Sequence, residues 1–159
     1  MPTHAVTLRV LAVALVAAVT LTATPVPAAV AAPTAGERKY QTKVFNVVNN
    51  IRANRDRVKL RKNKCLQRFA NRKAASLAKN RNTNLPHSNL RRIQRRCGVG
   101  YVGENLAYGP FTAKQVVRRW MRSPGHRSNI LFRKYRITGV AARKAGGYWW
   151  VAQVFGRKG

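Results

Sequence analysis

Gly103-Glu104-Asn105-Leu106-Ala107, answered further along by Ser123-Pro124-Gly125-His126-Arg127-Ser128-Asn129-Ile130-Leu131, is the stretch on which the fold turns. Glu104 is one of only three acids in a chain that carries 32 Lys and Arg. An acid held in a Gly-flanked segment of so basic a chain has a local task. A second histidine lies upstream, His87 in Leu85-Pro86-His87-Ser88-Asn89. Two imidazoles and one carboxylate, each in a turn-like setting, form the one constellation in this sequence able to carry chemistry.

Outward from that stretch, the periodicities alternate between helix and strand. Thr112 caps a helix whose buried side is Val116, Val117, Trp120 and Met121. Ser123-Pro124 restarts a helix, with Ser at the cap and Pro in the first turn, and His126 falls in that turn. Ser123 is near His126 and is the obvious nucleophile to consider, but Ser-Pro at a helix start reads as a cap. Upstream, Leu90, Ile93 and Cys97 define a short helix, capped by Ser88 or Asn89 and ended by Gly98. Residues 99–108 read as glycine-bounded turns or strand edges. Two longer helices precede them, over residues 40–54 (Val44, Val47, Val48, Ile51) and 64–81 (Leu66, Phe69, Ala70, Ala74, Leu77, Ala78). Asp56 follows the first and is expected to balance neighbouring Arg. The chain closes with strands over 137–143 and 148–155 around an Ala145-Gly146-Gly147 hairpin turn. Trp149 and Trp150, adjacent on the last strand, must face opposite ways. One should enter the core, and the other pack under a helix or line a ligand surface. Helices first and strands last predict an α+β fold, an antiparallel sheet covered by helices.

The N-terminus reads as a targeting signal. Arg9 supplies a positive start, an apolar run extends from Val10 to about Ala23, Pro25 and Pro27 break it, and Ala29-Val30-Ala31 offers a cleavage site. The run is shorter than the roughly 20 apolar residues of a membrane span. Residues 1–31 are thus expected to be removed on export, taking His4 with them. Residues 32–39 are expected to form a flexible leader, and 40–159 a single domain without a transmembrane segment.

The formal net charge is +29, and residues 1–31 account for only one basic residue, Arg9. Such a field attracts polyanions. Outside a cell these are anionic envelope polymers, lipid headgroups and released nucleic acid. The basic residues run along the whole chain, which favours a solvated charged surface over a shaped groove. No helix-turn-helix, zinc-finger or aromatic-rich motif is present, so specific nucleic-acid recognition is not expected. Cys65 and Cys97, an even count in an exported chain, predict one disulfide. Its loop is worth about 3–4 kcal/mol in the chain-entropy model.

The two opening segments belong to a longer ordered set. Trp120-Met121-x-Ser123-Pro124-Gly125-His126-Arg127-x-Asn129-Ile130-Leu131 is followed by Gly139-Val140 and by Trp150-Val151-Ala152-Gln153-Val154-Phe155-Gly156. From about Tyr40 to Gly156 the chain resembles the CAP superfamily of cysteine-rich secretory, venom-antigen and pathogenesis-related proteins, in the form of its bacterial secreted branch. The resemblance implies a three-layer α-β-α sandwich with a small, mainly antiparallel central sheet. It also implies a cleft lined by two His and two Glu. His87, Glu104 and His126 match three of that tetrad. The fourth position, three residues after the Trp, is Ser123, so a mechanism needing two carboxylates lacks one of them here. Lipid or sterol binding is also implied, though no stretch of the sequence singles out the apolar groove it needs.

The chemistry of the set leaves three readings open. His87 and His126 can hold zinc or another divalent metal, with Glu104 as a third ligand or as the base that activates water. Alternatively, Glu104 orients an imidazole in a purely structural cluster. The expectation is therefore a secreted monomer that acts by binding an extracellular ligand and requires no cofactor, with a divalent-metal site at His87, His126 and Glu104 as its candidate feature. A metal-dependent peptidase or esterase using the same cleft, and a polyanion-binding surface protein, are the alternatives.

Overall fold

The computed structural model describes Met1 and residues 31–159. The expected signal segment and His4 lie outside the described residues, apart from Met1 and Ala31. Among those described, five helices surround a four-stranded sheet. The elements run α1 (Ala35–Ala53), β1 (Arg61–Lys62), α2 (Lys64–Lys79), α3 (Leu90–Cys97), β2 (Val99–Gly109), α4 (Ala113–Arg122), α5 (Pro124–Leu131), β3 (Ile137–Ala145) and β4 (Tyr148–Lys158). The sheet order is β1-β3-β4-β2; β2 and β3 pair antiparallel with β4, and β1 lies parallel to β3.

The alternation of β4 sorts the core into two halves. Trp150, Ala152 and Val154 pack with α2 and α3, while Val151 and Phe155 pack with α1, α4 and α5. The α-β-α sandwich expected from the resemblance is thus the observed architecture. Cys65 and Cys97 are bonded, joining the start of α2 to the end of α3.

α1 begins earlier than expected. Glu37 N donates to Thr34 Oγ1 at 3.2 Å and Thr34 N donates back to Glu37 Oε2 at 2.8 Å, a capping box. Residues 35–39, expected in a flexible leader, are helical, and Glu37 is buried. Of the two readings of residues 99–108, turns or strand edges, the strand is the one observed: they form one strand at the edge of the sheet. Of its internal glycines, Gly103 marks a close approach. A Cβ on Gly103 would lie 2.3 Å from the Tyr135 hydroxyl and 2.7 Å from Asn129 Oδ1. Two-residue β1 went unforeseen because it is too short to show a period.

Asp56 does not balance an arginine. The ion pairs among the described residues are His87–Glu104 and Arg143–Glu37. Asp56 instead takes the left-handed backbone conformation after α1, at φ 53°, which Asp tolerates better than most side chains. Arg57 beside it donates to the carbonyls of Leu131, Arg55 and Asp56.

The hairpin turn has φ of 53° at Gly146 and 82° at Gly147, the signs that a two-residue β-hairpin favours. Beyond β1, the open side of β3 is met by side chains. Gln67 pairs with both the N–H and the C=O of Val140, Gln41 Nε2 donates to Ala142 O, and Lys144 N donates to Glu37 Oε1. No helix among the described residues is long and apolar enough to cross a membrane.

Candidate functional site

The Gly-Glu-Asn triplet sits on β2 at the edge of the sheet, and strand alternation splits its tasks between the two faces. Glu104 lies opposite Val154, on the side of α2 and α3; Asn105 lies opposite Gln153, on the side of α4 and α5.

Glu104 has no exposed side-chain surface. Its carboxylate accepts three hydrogen bonds: from Ser88 N at 2.8 Å and His87 Nδ1 at 3.0 Å on Oε1, and from the Ser88 hydroxyl at 2.5 Å on Oε2. These bonds pin the loop between α2 and α3 to the sheet. Asn89 caps α3 by accepting from Arg92 N at 2.9 Å, so Ser88 is free for the carboxylate. The loop is anchored at its other end as well, where Trp150 Nε1 donates to Asn82 O. The His87 ring that donates from Nδ1 leaves the Nε2 lone pair free in its neutral form. Its side chain is 59% exposed.

On the opposite face, Asn105 Nδ2 donates to His126 O at 3.0 Å. Asn129 Nδ2 reaches Asn105 Oδ1 at 2.9 Å and Glu104 O at 3.2 Å. Trp120 Nε1 donates to Leu106 O at 2.9 Å. These bonds fasten α4 and the first turn of α5 to the open side of β2. The end of α5 is held by Arg52, wholly buried, which donates to the carbonyls of Val58, Ile130, Phe132 and Tyr135. Burial, with the charges of Arg136 and Arg57, lowers its pKa to about 10, so it stays charged at neutral pH.

His87 and His126 are therefore delivered from opposite layers to either side of β2, with Glu104 buried beneath the first. Burial, and then the charge of His87, holds His126 below its ordinary value of 6.5. A depressed folded-state pKa means that the fold gains from a neutral His126 above pH 6.5. That gain is lost as pH falls from 6.5 through the lower folded value. Urea-melt stability should therefore drop between pH 7 and pH 5, and a His126→Gln chain should drop less. Identical losses in the two chains would assign the effect to other groups.

All three expected site residues come to the same edge of the sheet, but they do not form a three-ligand cluster. Among the described residues no group of three His, Cys, Asp or Glu is arranged to hold a metal ion. Catalytic zinc normally has three protein ligands. Glu104 is already committed to Ser88 and His87, which leaves the two imidazoles as donors, and the residues do not fit a resident catalytic metal. Ser123 occupies the cap position of α5, yet its side chain makes no cap hydrogen bond. The expected side-chain cap is corrected: the first turn is held instead by the proline and by the bond from Asn105 to His126 O.

Three positioning residues escaped the sequence reading, namely Ser88, Asn105 and Asn129. Ser88 had read as a cap; the available signal was its place beside His87. Of the adjacent tryptophans, Trp150 enters the core, while Trp149 stacks on Tyr40 with ring centroids 4.1 Å apart. Trp149 also lines a mainly apolar groove of about 550 Å³ with Tyr40, Val47, Pro110 and Phe111, which the sequence did not single out.

The family model described as the cysteine-rich secretory protein family, CAP, matches residues 45–155. The uncharacterized protein YkwD of Bacillus subtilis (strain 168) is 43% identical over 54 residues, which are 33% of this chain and only 21% of that protein's length. Among solved structures, an outer surface protein from Borrelia burgdorferi superposes with a TM-score of 0.68 at 20% identity, covering 77% of this chain and 95% of its own. An extracellular protein containing an SCP domain from Bacillus anthracis gives 0.61 at 23% identity, over 77% of this chain and 41% of its own. At these identities the structures speak for the fold alone.

Proposed function

The chain belongs to the cysteine-rich secretory protein (CAP) family, whose model matches well over half of it, and from that premise we propose that it is a secreted binding module rather than an enzyme. The observation that carries this reading is the state of Glu104. General-base or metal-assisted hydrolysis needs a carboxylate within reach of water or of a metal. This one is wholly buried and accepts three hydrogen bonds from the loop it anchors. The second acid position of the family is Ser123. What remains exposed is the His87 side chain, with the half-buried His126 across β2, two imidazoles able to accept hydrogen bonds from a ligand.

Export is supported by the expected N-terminal signal, by the disulfide and by the outer-surface and extracellular proteins that share the fold. A divalent metal enters this reading as a weak ligand of the two imidazoles, completed by water. Titrating zinc into the purified protein by calorimetry should give one-to-one binding in the micromolar range or weaker, lost in His126→Ala. The same protein should turn over neither peptides nor esters. Turnover that chelator stops and Glu104→Gln abolishes would replace this reading with the hydrolase. A second reading, lipid binding, has the apolar groove beside Trp149 in its favour.

A further inference from the structure

Five of the basic residues line one groove. Between α2 and α3 lies a groove of about 750 Å³, floored by Phe69, Ile93 and the disulfide at Cys65. Arg68, Arg72 and Lys73 of α2 form one wall, and Arg92 and Arg96 of α3 the other. No acid lines it. Glu104, the acid of the neighbouring site, is shut away beneath Ser88 at the groove's end.

Three features make this more than a share of the net charge. The first is spacing. Arg68 and Arg72 are four residues apart on one helix, and Arg92 and Arg96 four apart on the other, so each pair leaves its helix on one face about 6 Å apart along the axis. Like charges at this spacing destabilise a helix, and nothing in the groove neutralises them. An anion lying between the helices would relieve both. The second is preorganisation. The disulfide ties α2 to α3 without any ligand, and Arg72 is seated over the Phe69 ring at 4.8 Å. Less ordering is then left to be done on binding. The third is chemistry. Guanidinium groups pair with phosphate through two parallel hydrogen bonds, which an ammonium cannot match, and four of the five basic groups here are Arg.

The aromatic content decides the occupant. Proteins that hold single-stranded nucleic acid offer aromatic faces on which successive bases stack. This groove has one aromatic ring, Phe69, and Arg72 covers it. We infer that the groove between α2 and α3 binds a linear polymer of closely spaced phosphates without bases. This site is distinct from the His87–His126 cleft and does not depend on the reading proposed for it.

The test compares two triple variants with the same loss of charge. One is Arg72→Gln, Arg92→Gln and Arg96→Gln in the groove. The other is Arg118→Gln, Arg119→Gln and Arg122→Gln on α4. Affinity is measured against poly(glycerol phosphate) and against inorganic polyphosphate of equal phosphate number, over a range of salt. The groove variant should bind at least one of them about 100-fold more weakly than the unaltered chain, with a salt slope reduced by about one per lost contact. The α4 variant should lose less than about 3-fold. Which polymer shows the larger groove-dependent loss identifies the source of the phosphates. Equal losses in the two variants overturn the inference in favour of a diffuse field. So does single-stranded DNA of the same phosphate number that binds through the groove tenfold more tightly than either polymer. Superimposable far-ultraviolet spectra and melting curves verify that both variants are folded.

Discussion

Arg52→Met is expected to lower the stability of the folded chain by about 3–5 kcal/mol, the scale for breaking a buried hydrogen-bond network whose acceptors are left behind. The guanidinium is the common partner of four carbonyls, from Val58, Ile130, Phe132 and Tyr135. A methionine fills much of the space and donates nothing. Each carbonyl left buried without a partner costs about 1–3 kcal/mol, against a total that for most domains is about 5–15 kcal/mol. Arg52→Lys should fall between the two chains, because one ammonium has three donors and no fork. The measurement is a urea melt of all three. A Met variant within about 1 kcal/mol of the unaltered chain would mean that these carbonyls find water. The effect should also reach the site, since Ile130 and Phe132 lie at the end of the helix that carries His126. Zinc affinity should therefore weaken in Arg52→Lys even where that chain is fully folded.

Gly139→Ala should disturb the other half of the site. A Cβ at this position in β3 would lie 2.3 Å from Gln67 N, 2.4 Å from Leu66 C and 2.5 Å from Gln67 Cα. All three are backbone atoms of α2, so no side-chain rotation can make room. Either α2 lifts from the sheet or β3 sinks. Overpacking of this kind costs typically 1–3 kcal/mol and occasionally more. The rigid partner places this case at about 3 kcal/mol, or a Tm lower by roughly 10–15 °C. Because α2 leads into the His87 loop and carries Arg68 and Arg72, ligand binding at both places should weaken together. A Tm within about 3 °C of the unaltered chain would show that α2 has slack against the sheet.

Much of this molecule was legible in its residues, and the illegible parts have physical reasons. The helical stripes of α2 and α4, the Asn89 and Thr112 caps, the disulfide and the glycine hairpin all follow from local chemistry. Two signals were present and passed over. Thr34 and Glu37 have the spacing of a capping box, which brings the start of α1 forward. Arg52 lies four residues after Val48 and eight after Val44, in step with the buried stripe, and an arginine there has to find acceptors. β2 stayed open between turn and strand because glycine marks both a turn and a close approach, and only the placement of Tyr135 and Asn129 over Gly103 tells them apart. In the site, the resemblance set His87, Glu104 and His126 together, and the contact observed among them is that of His87 with Glu104. The consumption of Glu104 by Ser88 was not readable, since it depends on which of two adjacent residues caps α3.

The side chains that line the two margins of the sheet have a consequence for crowding. A bare strand margin is a template on which a strand from another chain can add, the first step toward fibrous aggregates. Here the β2 margin is occupied by the Trp120 indole and the Asn129 amide. The β3 margin is occupied by Gln67, Gln41 and Glu37, with the short, exposed and cationic pair Arg61 and Lys62 alongside. Glutamine and asparagine amides copy the donor and acceptor of a peptide group, so they serve as one-residue stand-ins for a neighbouring strand. Among the described residues these side chains take up several of the places on the sheet margins where a strand from a second copy would otherwise add.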